Sequence, residues 1–477
     1  MTPEDFRRYG HEIVDWLADY FGDIEARPVV PSVQPGQIRA SLPAAAPEAG
    51  EPFDRILADF RDRIVPGMVH WGHPGWFGYF PSNGSPPAVL ADLLTAGLGA
   101  QCMSWATSPA ATELEQVVMS WYREMLALPP AFTGVIQDSA STSTLLAFLT
   151  ARDRAGADSG RLVAYWSAEA HSSVAKAARL TGLPIDRRRI VPVDARFAMV
   201  QGELEAMMAE DVAAGLVPGI VVGTMGTTSS TACDPLAAIG EIARRRGAWF
   251  HVDAAWGGSA AILPEVRPLL DGVELADSMV TNPHKWLLAG FDCSAYFVRD
   301  VDALTRTFGA NPEYLRTAQD RDAAVVNFRD WGIPLGRRFR ALKLWFVLRH
   351  YGVEGLRDMI RRHIAMGQDL ARRVAAEDDF QLMAPAPLGL VCLRHVPPGV
   401  SGDEPALAAH NAAVLADVNA AGDVMLTHTM LGGKYTIRVA IGALRTAQRH
   451  VDRAWTLIRD AARRHLAGVG GNESRRR

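Results

Sequence analysis

Apolar residues near the amino terminus recur every three or four positions, which is the spacing of one face of an α-helix. The stripe consists of Phe6, Tyr9, Ile13, Leu17 and Tyr20. The preceding Thr2-Pro3-Glu4-Asp5 supplies a hydroxyl cap, a proline and two acids, as expected at a helix start. We predict a long amphipathic helix, followed by a proline- and alanine-rich linker at 28–52 that is not a folded unit. Because the helix must bury its stripe on something else, we expect a partner subunit to cover it.

Farther along, short apolar runs alternate with helical patterns, which predicts a mainly parallel sheet covered by helices on both faces. The predicted strands are 135–137, 162–165, 220–224, 249–253 and 277–281. Predicted helices begin at about residues 109, 139 and 172. Beyond about Gly352 the pattern changes to helices and fewer strands, among them 435–440, whose apolar residues alternate as in a half-buried strand. The polar, basic residues 470–477 are expected to be disordered.

Composition narrows the class of protein. The chain has 477 residues, of which 48% are hydrophobic and 21% charged, so it can bury large cores in two or three domains. A formal net charge of −4 does not indicate the basic surface that nucleic-acid-binding proteins need. The four scattered cysteines indicate neither a disulfide framework nor a zinc site, and no apolar run reaches the roughly 18 residues of a membrane span. These features favour a cytoplasmic enzyme with a small-molecule substrate and no membrane or nucleic-acid partner. Segment 11–15 resembles a zinc-protease motif but has Asp15 in place of the second histidine, so we expect no metal.

One lysine, Lys285, follows a predicted buried strand and lies among apolar residues. Burial lowers the pKa of a lysine amine and makes it a nucleophile toward carbonyl groups, although a lysine can also extend its ammonium to water. Asp253 ends another predicted strand 32 positions earlier. Pyridoxal phosphate requires such a pair: a lysine that binds its aldehyde and an acid that keeps its pyridine nitrogen protonated. Asp253 alone would be a common capping or ion-pairing residue, but the two residues together predict a pyridoxal-phosphate site.

Three further segments fit this site. The small hydroxyl residues at 139–144 open a helix whose free amides can hold a phosphate, with ordinary serine capping as the alternative. His171 lies at a strand-to-helix turn, where stacking on a cofactor ring competes with a structural or surface role. Residues 70–81 combine aromatic and turn residues, which is typical of an apolar substrate slot and equally of a plain core. No dinucleotide fingerprint, P-loop or nucleophile elbow occurs.

Seven segments together resemble the aromatic-L-amino-acid decarboxylases, which are group II, fold-type I pyridoxal-phosphate enzymes. The segments are 71–74 (WGHP), 104–109 (SWATSP), 134–137 (GVIQ), 170–173 (AHSS), 251–255 (HVDAA), 282–286 (NPHKW) and 335–340 (LGRRFR). The resemblance covers nearly the whole chain and implies an α/β fold with a mainly parallel central sheet. It implies an obligate homodimer with the active site at its interface. It also implies an amino-terminal helical clasp at 1–85, a large cofactor domain at 86–352 and a small α+β domain at 353–477.

The same resemblance implies roles for individual residues. Lys285 becomes the Schiff-base lysine, Asp253 the partner of the pyridine nitrogen, and His171 the ring stacked on the cofactor. The other implied cofactor residues are Ser139, Ala140, Ser141, Thr228, Ala255, Asn282 and His284. The implied substrate residues are Trp71, Tyr79, Phe80, Pro81, Ser82, Gln101, Met103 and Gly336, of which Gln101 and Met103 reach across from the other subunit. Tyr314 matches the tyrosine of a mobile catalytic loop, and the charged residues 316–322 after it have little to bury.

The implied activity is decarboxylation of an aromatic L-amino acid to its amine, with Tyr314 protonating the α-carbon directly or through His171. Related aldehyde synthases typically carry phenylalanine in place of that tyrosine, so Tyr314 favours simple decarboxylation. Gly336 favours an indolic substrate such as tryptophan or 5-hydroxytryptophan over phenolic ones. Gln101 and Met103 replace larger apolar groups and indicate a more polar or roomier pocket.

Two positions depart from the family pattern, and three alternatives to the implied activity stay open. Gly78 stands where alanine is usual. Asp138 replaces a common glycine beside residues 139–141, so the resemblance does not determine which groups contact the phosphate. The first alternative is an aldehyde synthase. The second is a decarboxylase of acidic amino acids, which would want a cationic group in the pocket at 71–82, where the sequence has none. The third is a non-catalytic protein that keeps the cofactor for structure.

Overall fold

The protein is described by a computed structural model that covers residues 1–310, 312–315, 325–398 and 402–473, without the side chains of Tyr314 and of 466–473. The α-helices within these residues are α1 (Pro3–Asp23), α2 (Gln37–Ser41), α3 (Phe53–Asp59), α4 (Pro86–Leu98), α5 (Pro109–Met125), α6 (Ala140–Ala155), α7 (Ser172–Leu180), α8 (Gln201–Ala213), α9 (Leu236–Arg246), α10 (Pro283–Trp286), α11 (Val301–Phe308), α12 (Arg340–Ala375), α13 (Glu404–Ala420) and α14 (Gln448–Glu473). The strands are β1 (Thr133–Gln137), β2 (Leu162–Ser167), β3 (Arg188–Val191), β4 (Val217–Thr224), β5 (Trp249–Asp253), β6 (Ser278–Thr281), β7 (Ser294–Val298), β8 (Phe380–Leu382), β9 (Leu390–His395), β10 (Thr427–Leu431) and β11 (Lys434–Ala440).

A seven-stranded sheet in the order β1-β7-β6-β5-β4-β2-β3 forms the centre of the chain. β7 is antiparallel to both of its neighbours, whereas the five strands from β6 to β3 in that order are parallel to one another. Every residue of β2, β5, β6 and β7 is buried, as expected for strands covered on both faces by helices. The predicted mainly parallel sheet is therefore confirmed. The carboxyl ends of β4, β5 and β6 meet at one edge.

The amino-terminal helix forms as predicted, but its apolar stripe is not buried within the chain. Thr2 and Asp5 make a reciprocal capping box at its start, with hydrogen bonds of 3.0 and 3.1 Å. Of the predicted stripe only Tyr9 is buried, while Phe6 remains 63% exposed. The linker at 28–52, which was predicted not to be a folded unit, contains one short helix, the five-residue α2.

The carboxyl-terminal part contains a second, antiparallel sheet in the order β10-β11-β9-β8, beside α13 and α14. Helix α12 leads into it and bends at Gly352, whose φ of +65° lies in the left-handed region that favours glycine. The predicted alternation in β11 is wrong, because residues 436–440 are all buried. β11 lies inside its sheet and also contacts Tyr79 and Ser229 from earlier in the chain, so that both of its faces are covered.

The end of the chain also differs from expectation. Residues 470–477 were expected to be disordered, but α14 continues to Glu473, and 474–477 lie outside the described residues. Within the described ranges no helix is both long and apolar enough to cross a membrane.

Candidate active site

A cavity of about 240 Å³ lies at the carboxyl ends of β4, β5 and β6. It is lined by Phe80, Ser139, Ala140, Ser141, His171, Thr224, Gly226, Thr228, Asp253, Ala255, Trp256, Asn282, His284, Lys285 and Phe291. All ten residues that the resemblance assigns to the cofactor are among them. Thr224, Gly226, Trp256 and Phe291 were not predicted. Thr224 could have been found, since it ends a predicted strand at the edge where ligands of parallel sheets bind.

Lys285 lies on α10, a single turn that directly follows β6. Its N–H donates to the carbonyl oxygen of Asn282 at 2.9 Å. The ammonium nitrogen lies 5.8 Å from the ring centroid of Phe80. Burial lowers the pKa of Lys285, and the nearby charge of Asp253 opposes this effect. The amine is therefore shifted toward its neutral, nucleophilic form.

Asp253 ends β5 and is only 4% exposed. Its Oδ1 accepts a hydrogen bond from the N–H of Ala255 at 3.0 Å, and no described residue donates to its Oδ2. Buried carboxylates are normally satisfied by charged or hydrogen-bonding partners. The remaining oxygen therefore suits a protonated ring nitrogen in the cavity.

The start of α6 forms another wall of the cavity. Ser139 caps this helix by accepting a hydrogen bond from the N–H of Thr142 at 3.2 Å, and its hydroxyl donates to Oδ1 of Asp138 at 3.2 Å. Amides in the first turn of a helix have no partner within it, so this wall attracts an anion. Asp138 adds a negative charge there, and Arg340 is close enough to interact with it electrostatically.

His171 caps α7 at the mouth of the cavity. Its Nδ1 accepts a hydrogen bond from the N–H of Ser173 at 3.2 Å and lies 2.8 Å from the hydroxyl of the same residue. The proton of the neutral ring is therefore on Nε2. Burial lowers the pKa of His171, against a raising effect of Asp253. The ring is thus mainly neutral near pH 7, with Nε2 as its only proton-bearing nitrogen.

Aromatic rings form the floor beside Lys285. Phe80 stacks on Trp256 with ring centroids 4.2 Å apart, and Trp256 stacks on Trp286 at 4.0 Å. Trp71 and Tyr79 stack on each other at 5.8 Å, but neither lines the cavity, and Tyr79 is 55% exposed. Of the predicted substrate residues in this segment, only Phe80 therefore lines the cavity itself.

The next two residues of the segment, Pro81 and Ser82, run beside α10, the turn that carries Lys285 and is called the lysine turn below. The hydroxyl of Ser82 donates to the carbonyl oxygen of His284 at 3.4 Å, and Pro81 packs near Gly442. The segment that carries the predicted substrate residues is thus bound to the segment that carries Lys285.

Gln101, Met103 and Gly336 form a second group, outside this cavity of the same chain. Oε1 of Gln101 accepts a hydrogen bond from the N–H of Arg337 at 2.8 Å, and a Cβ added to Gly336 would lie 3.2 Å from Nε2 of Gln101. The carbonyl oxygen of Met103 accepts from the N–H of Arg329 at 2.8 Å. Gly336 therefore leaves just enough room for the carboxamide of Gln101.

A buried cation borders the aromatic segment, contrary to the expectation that the pocket at 71–82 has none. The guanidinium of Arg438, on β11, lies 5.4 Å from the ring centroid of Phe80. Its hydrogen-bond acceptors are the carbonyl oxygens of Tyr79, Thr228 and Ser229 and the hydroxyl of Thr427. Sequence reasoning missed Arg438 because it lies more than 350 positions after Phe80, in the second sheet. With four of its five N–H donors occupied, it is poorly placed to bind a substrate carboxylate.

Tyr314 lies in a one-turn 3₁₀ helix, Glu313–Leu315. The segment 316–322, predicted to be mobile, lies outside the described residues.

The residues around the cavity fit pyridoxal phosphate. Lys285 supplies an amine with a lowered pKa, Asp253 supplies a buried carboxylate with an available oxygen, and the start of α6 supplies amides for a phosphate. These three groups line one cavity of about 240 Å³.

Comparisons with known proteins agree with this fit. Residues 35–396, well over half of the chain, match the pyridoxal-dependent decarboxylase conserved domain. The chain is 44% identical over 475 residues to phenylacetaldehyde synthase from Arabidopsis thaliana, covering 97% of this chain and 96% of that protein. It is 43% identical over 492 residues to aromatic-L-amino-acid decarboxylase from Sus scrofa, covering 99% of each chain. A crystal structure of Oryza sativa TDC with PLP and tryptamine matches with a TM-score of 0.95 at 37% identity, covering 98% of this chain and 99% of that chain. The chain therefore belongs to the pyridoxal-dependent decarboxylase family.

Proposed function

We propose that the protein decarboxylates aromatic L-amino acids to the corresponding amines and carbon dioxide. The observation that carries this proposal is the arrangement of Lys285, Asp253 and His171 around one cavity whose floor is aromatic. When bound, pyridoxal phosphate supplies a ring that accepts the electrons left behind by the departing carboxyl group. The relatives named above include an aromatic-amino-acid decarboxylase, which supports the choice of substrate class.

The chain's own residues have distinct roles in this proposal. Lys285 would hold the cofactor's aldehyde carbon, since its amine is shifted toward the neutral form. Asp253 would keep the ring nitrogen protonated through its available oxygen. His171 would lie on the ring, with Thr228 and Ala255 beside it. The phosphate would bind to Ser139, Ala140, Ser141 and Asn282, with His284 next to the lysine.

Protonation of the substrate's α-carbon completes the proposed reaction. We assign the donor role to Tyr314, acting directly or through His171. Nε2 of His171 is available for such a relay, because Nδ1 is engaged by Ser173. Decarboxylation needs only this one proton, whereas an aldehyde synthase must admit oxygen to the same carbon.

An acidic substrate is disfavoured by the surroundings of Phe80. Arg438 lies 5.4 Å from the ring centroid of Phe80, but its donors are directed at main-chain carbonyls and one hydroxyl and not at the cavity. The ring of an aromatic substrate can instead pack against Phe80, which is the residue of this segment that lines the cavity. We also propose a preference for indolic substrates, because the resemblance associates glycine at position 336 with them.

We further propose that the protein acts as a homodimer. Gln101 and Met103 lie outside the cavity of their own chain, so a second copy would have to supply them to the site. Exposed apolar side chains offer a surface for that copy. They include Leu90, Leu93, Leu94 and Leu98 on α4 and Phe6 and Ile13 on α1.

A cytoplasmic location is also part of the proposal and is supported by four unpaired cysteines.

The proposed activity is tested by one competition experiment. Purified protein is incubated with pyridoxal phosphate and a mixture of tryptophan, 5-hydroxytryptophan, DOPA, tyrosine, phenylalanine and glutamate, and products are identified by mass spectrometry. We expect amines from the aromatic substrates, with an indole amine dominating, and no product from glutamate. Aldehydes together with hydrogen peroxide would instead identify an aldehyde synthase, like the 44% identical phenylacetaldehyde synthase. The absence of any aromatic product would refute the proposal.

Replacing Tyr314 with phenylalanine tests the proton donor. Loss of a positioned general acid typically costs about 10²–10⁴-fold in rate, so we expect amine formation to fall by at least about 100-fold. Oxygen consumption and peroxide should rise in the same reaction, since the carbon that is not protonated becomes open to oxygen. Tyr435→Phe, on β11 beside His428, serves as the control and should keep the wild-type product. Unchanged turnover in Tyr314→Phe would show that another group donates the proton.

A further inference from the structure

The side chain of Asn83 is buried between the lysine turn and the carboxyl-terminal part of the chain. It is 2% exposed. Its Nδ2 donates to the carbonyl oxygen of Lys285 at 2.9 Å and to that of Gly442 at 2.7 Å, and its Oδ1 accepts from the N–H of Leu444 at 3.1 Å. Both donors and the acceptor of the carboxamide are therefore occupied.

The main chain of Asn83 is bound to the same turn and to the segment that follows it. Its N–H donates to the carbonyl oxygen of His284 at 3.2 Å, and its own carbonyl oxygen accepts from the N–H of Gly290 at 2.8 Å. The N–H of Lys285 is meanwhile bound to Asn282. Both main-chain groups of the lysine are thus fixed, and only its side-chain torsions remain free to move the amine.

The residue after the lysine is held in a similar way. The indole N–H of Trp286 donates to Nδ1 of His363 on α12 at 3.0 Å, and its ring stacks on Trp256. Burial lowers the pKa of His363 to about 3, so this ring stays neutral and keeps its acceptor nitrogen at ordinary pH. The lysine turn is therefore anchored to α12 as well as to Asn83.

We propose that Asn83 is a positioning residue that holds the main chain of Lys285 at the cavity and couples it to the segment Gly442–Leu444. The inference rests on the proposed role of Lys285 as the residue that binds the cofactor. A carboxamide is required because it alone offers two donors and one acceptor at this size. Aspartate has no N–H to offer the two carbonyl oxygens, and leucine keeps the volume but makes none of the three hydrogen bonds.

The chain contains a matched control in Asn411. This residue is also fully buried, and its carboxamide also makes three hydrogen bonds to main-chain groups, at 2.8 to 2.9 Å. The partners are His395 and Leu407, which do not line the Lys285 cavity. Replacing Asn411 should therefore have a similar effect on stability without affecting the lysine.

The test measures how fast Lys285 reacts with pyridoxal phosphate in cofactor-free protein. The amine and the aldehyde join with loss of water, and borohydride reduces the resulting C=N bond to a stable secondary amine. The chain has only four lysines, Lys176, Lys285, Lys343 and Lys434, so peptide mass spectrometry identifies the modified one without ambiguity. The variants are Asn83→Asp, Asn83→Leu, Asn411→Asp and Asn411→Leu, each compared with wild type for thermal midpoint and for capture rate.

We expect both Asn83 variants to slow capture at Lys285 by about 10-fold or more, because small displacements of a reacting group have large effects on rate. The Asn411 variants should lower the thermal midpoint comparably and change the capture rate less than about 2-fold. If Asn83→Asp or Asn83→Leu does not fold, Asn83→Ser, which keeps one donor, is measured instead and should slow capture to a smaller degree.

Two outcomes overturn the proposal. One is capture at the wild-type rate in a folded Asn83 variant, and the other is equal slowing in the Asn411 variants, which would reduce Asn83 to a general structural role. Failure of the wild-type protein to be captured at Lys285 is a different result. It would refute the role assigned to the lysine itself.

Discussion

Replacing Lys285 with alanine is expected to lower decarboxylation of aromatic amino acids by about 10⁴-fold or more, the scale seen when an enzyme loses its nucleophile. The reason is that Lys285 supplies the only lysine amine lining the cavity in the described part of the chain. Its pKa is lowered by burial, so no exposed lysine can replace it in reactivity. Amine release is measured by mass spectrometry at saturating pyridoxal phosphate, which separates loss of chemistry from weaker cofactor binding.

Lys434→Ala provides the control for this experiment. Lys434 begins β11 and does not line the cavity, so its removal should leave amine release within about 2-fold of wild type. Residual activity above about 10% in Lys285→Ala would contradict the role given to the lysine. Loss of activity accompanied by a large fall in the thermal midpoint would point to a structural cause, and thermal unfolding of both variants should therefore be recorded.

The meeting of the proposed cofactor residues in one cavity could be predicted because these residues obey a local rule. Asp253 and Lys285 each follow a strand of the parallel sheet, and the carboxyl ends of such strands converge at one edge. His171 and Ser139 begin helices at the same edge, and each follows a strand that the sequence pattern predicts. Strand and helix patterns read from the sequence were therefore sufficient to bring these residues to one cavity.

The remaining parts of the site depend on contacts that no local pattern specifies. Asn83 binds Gly442 and Leu444 across some 360 positions, and Arg438 reaches back to Tyr79 over a similar separation. A polar residue in a turn segment has many possible partners, and the sequence does not indicate which one it meets. Strand β11 was predicted to be half-buried for the same reason, since the chain that covers its second face is remote in sequence.

Replacing Arg337 with alanine is expected to destabilise the protein by about 3–5 kcal/mol, because it leaves the carboxylate of Glu115 buried without its cation. The side chains of this pair are 6% and 3% exposed and meet at 2.8 Å. Arg337 also donates to the carbonyl oxygens of Cys102 and Ile136, and Glu115 accepts from the N–H of Ile136. The pair therefore joins α5 to β1, the strand that leads to Ser139 at the start of α6, and to the segment that carries Gln101.

Urea unfolding at fixed protein and cofactor concentration gives the free energy of unfolding of Arg337→Ala. The exposed pair Arg244–Glu241, with a contact of 2.7 Å, is the control, and Arg244→Ala should cost no more than about 1 kcal/mol.

In the double variant Arg337→Met with Glu115→Leu we expect a smaller loss of stability than the sum of the losses in the two single variants, because no charge is left buried. Some loss must remain, since the Ile136 N–H and the carbonyl oxygens of Cys102 and Ile136 then lack these partners. A cost below about 1 kcal/mol for Arg337→Ala would mean that water or another cation reaches Glu115, and β1 would then be held mainly by its pairing with β7.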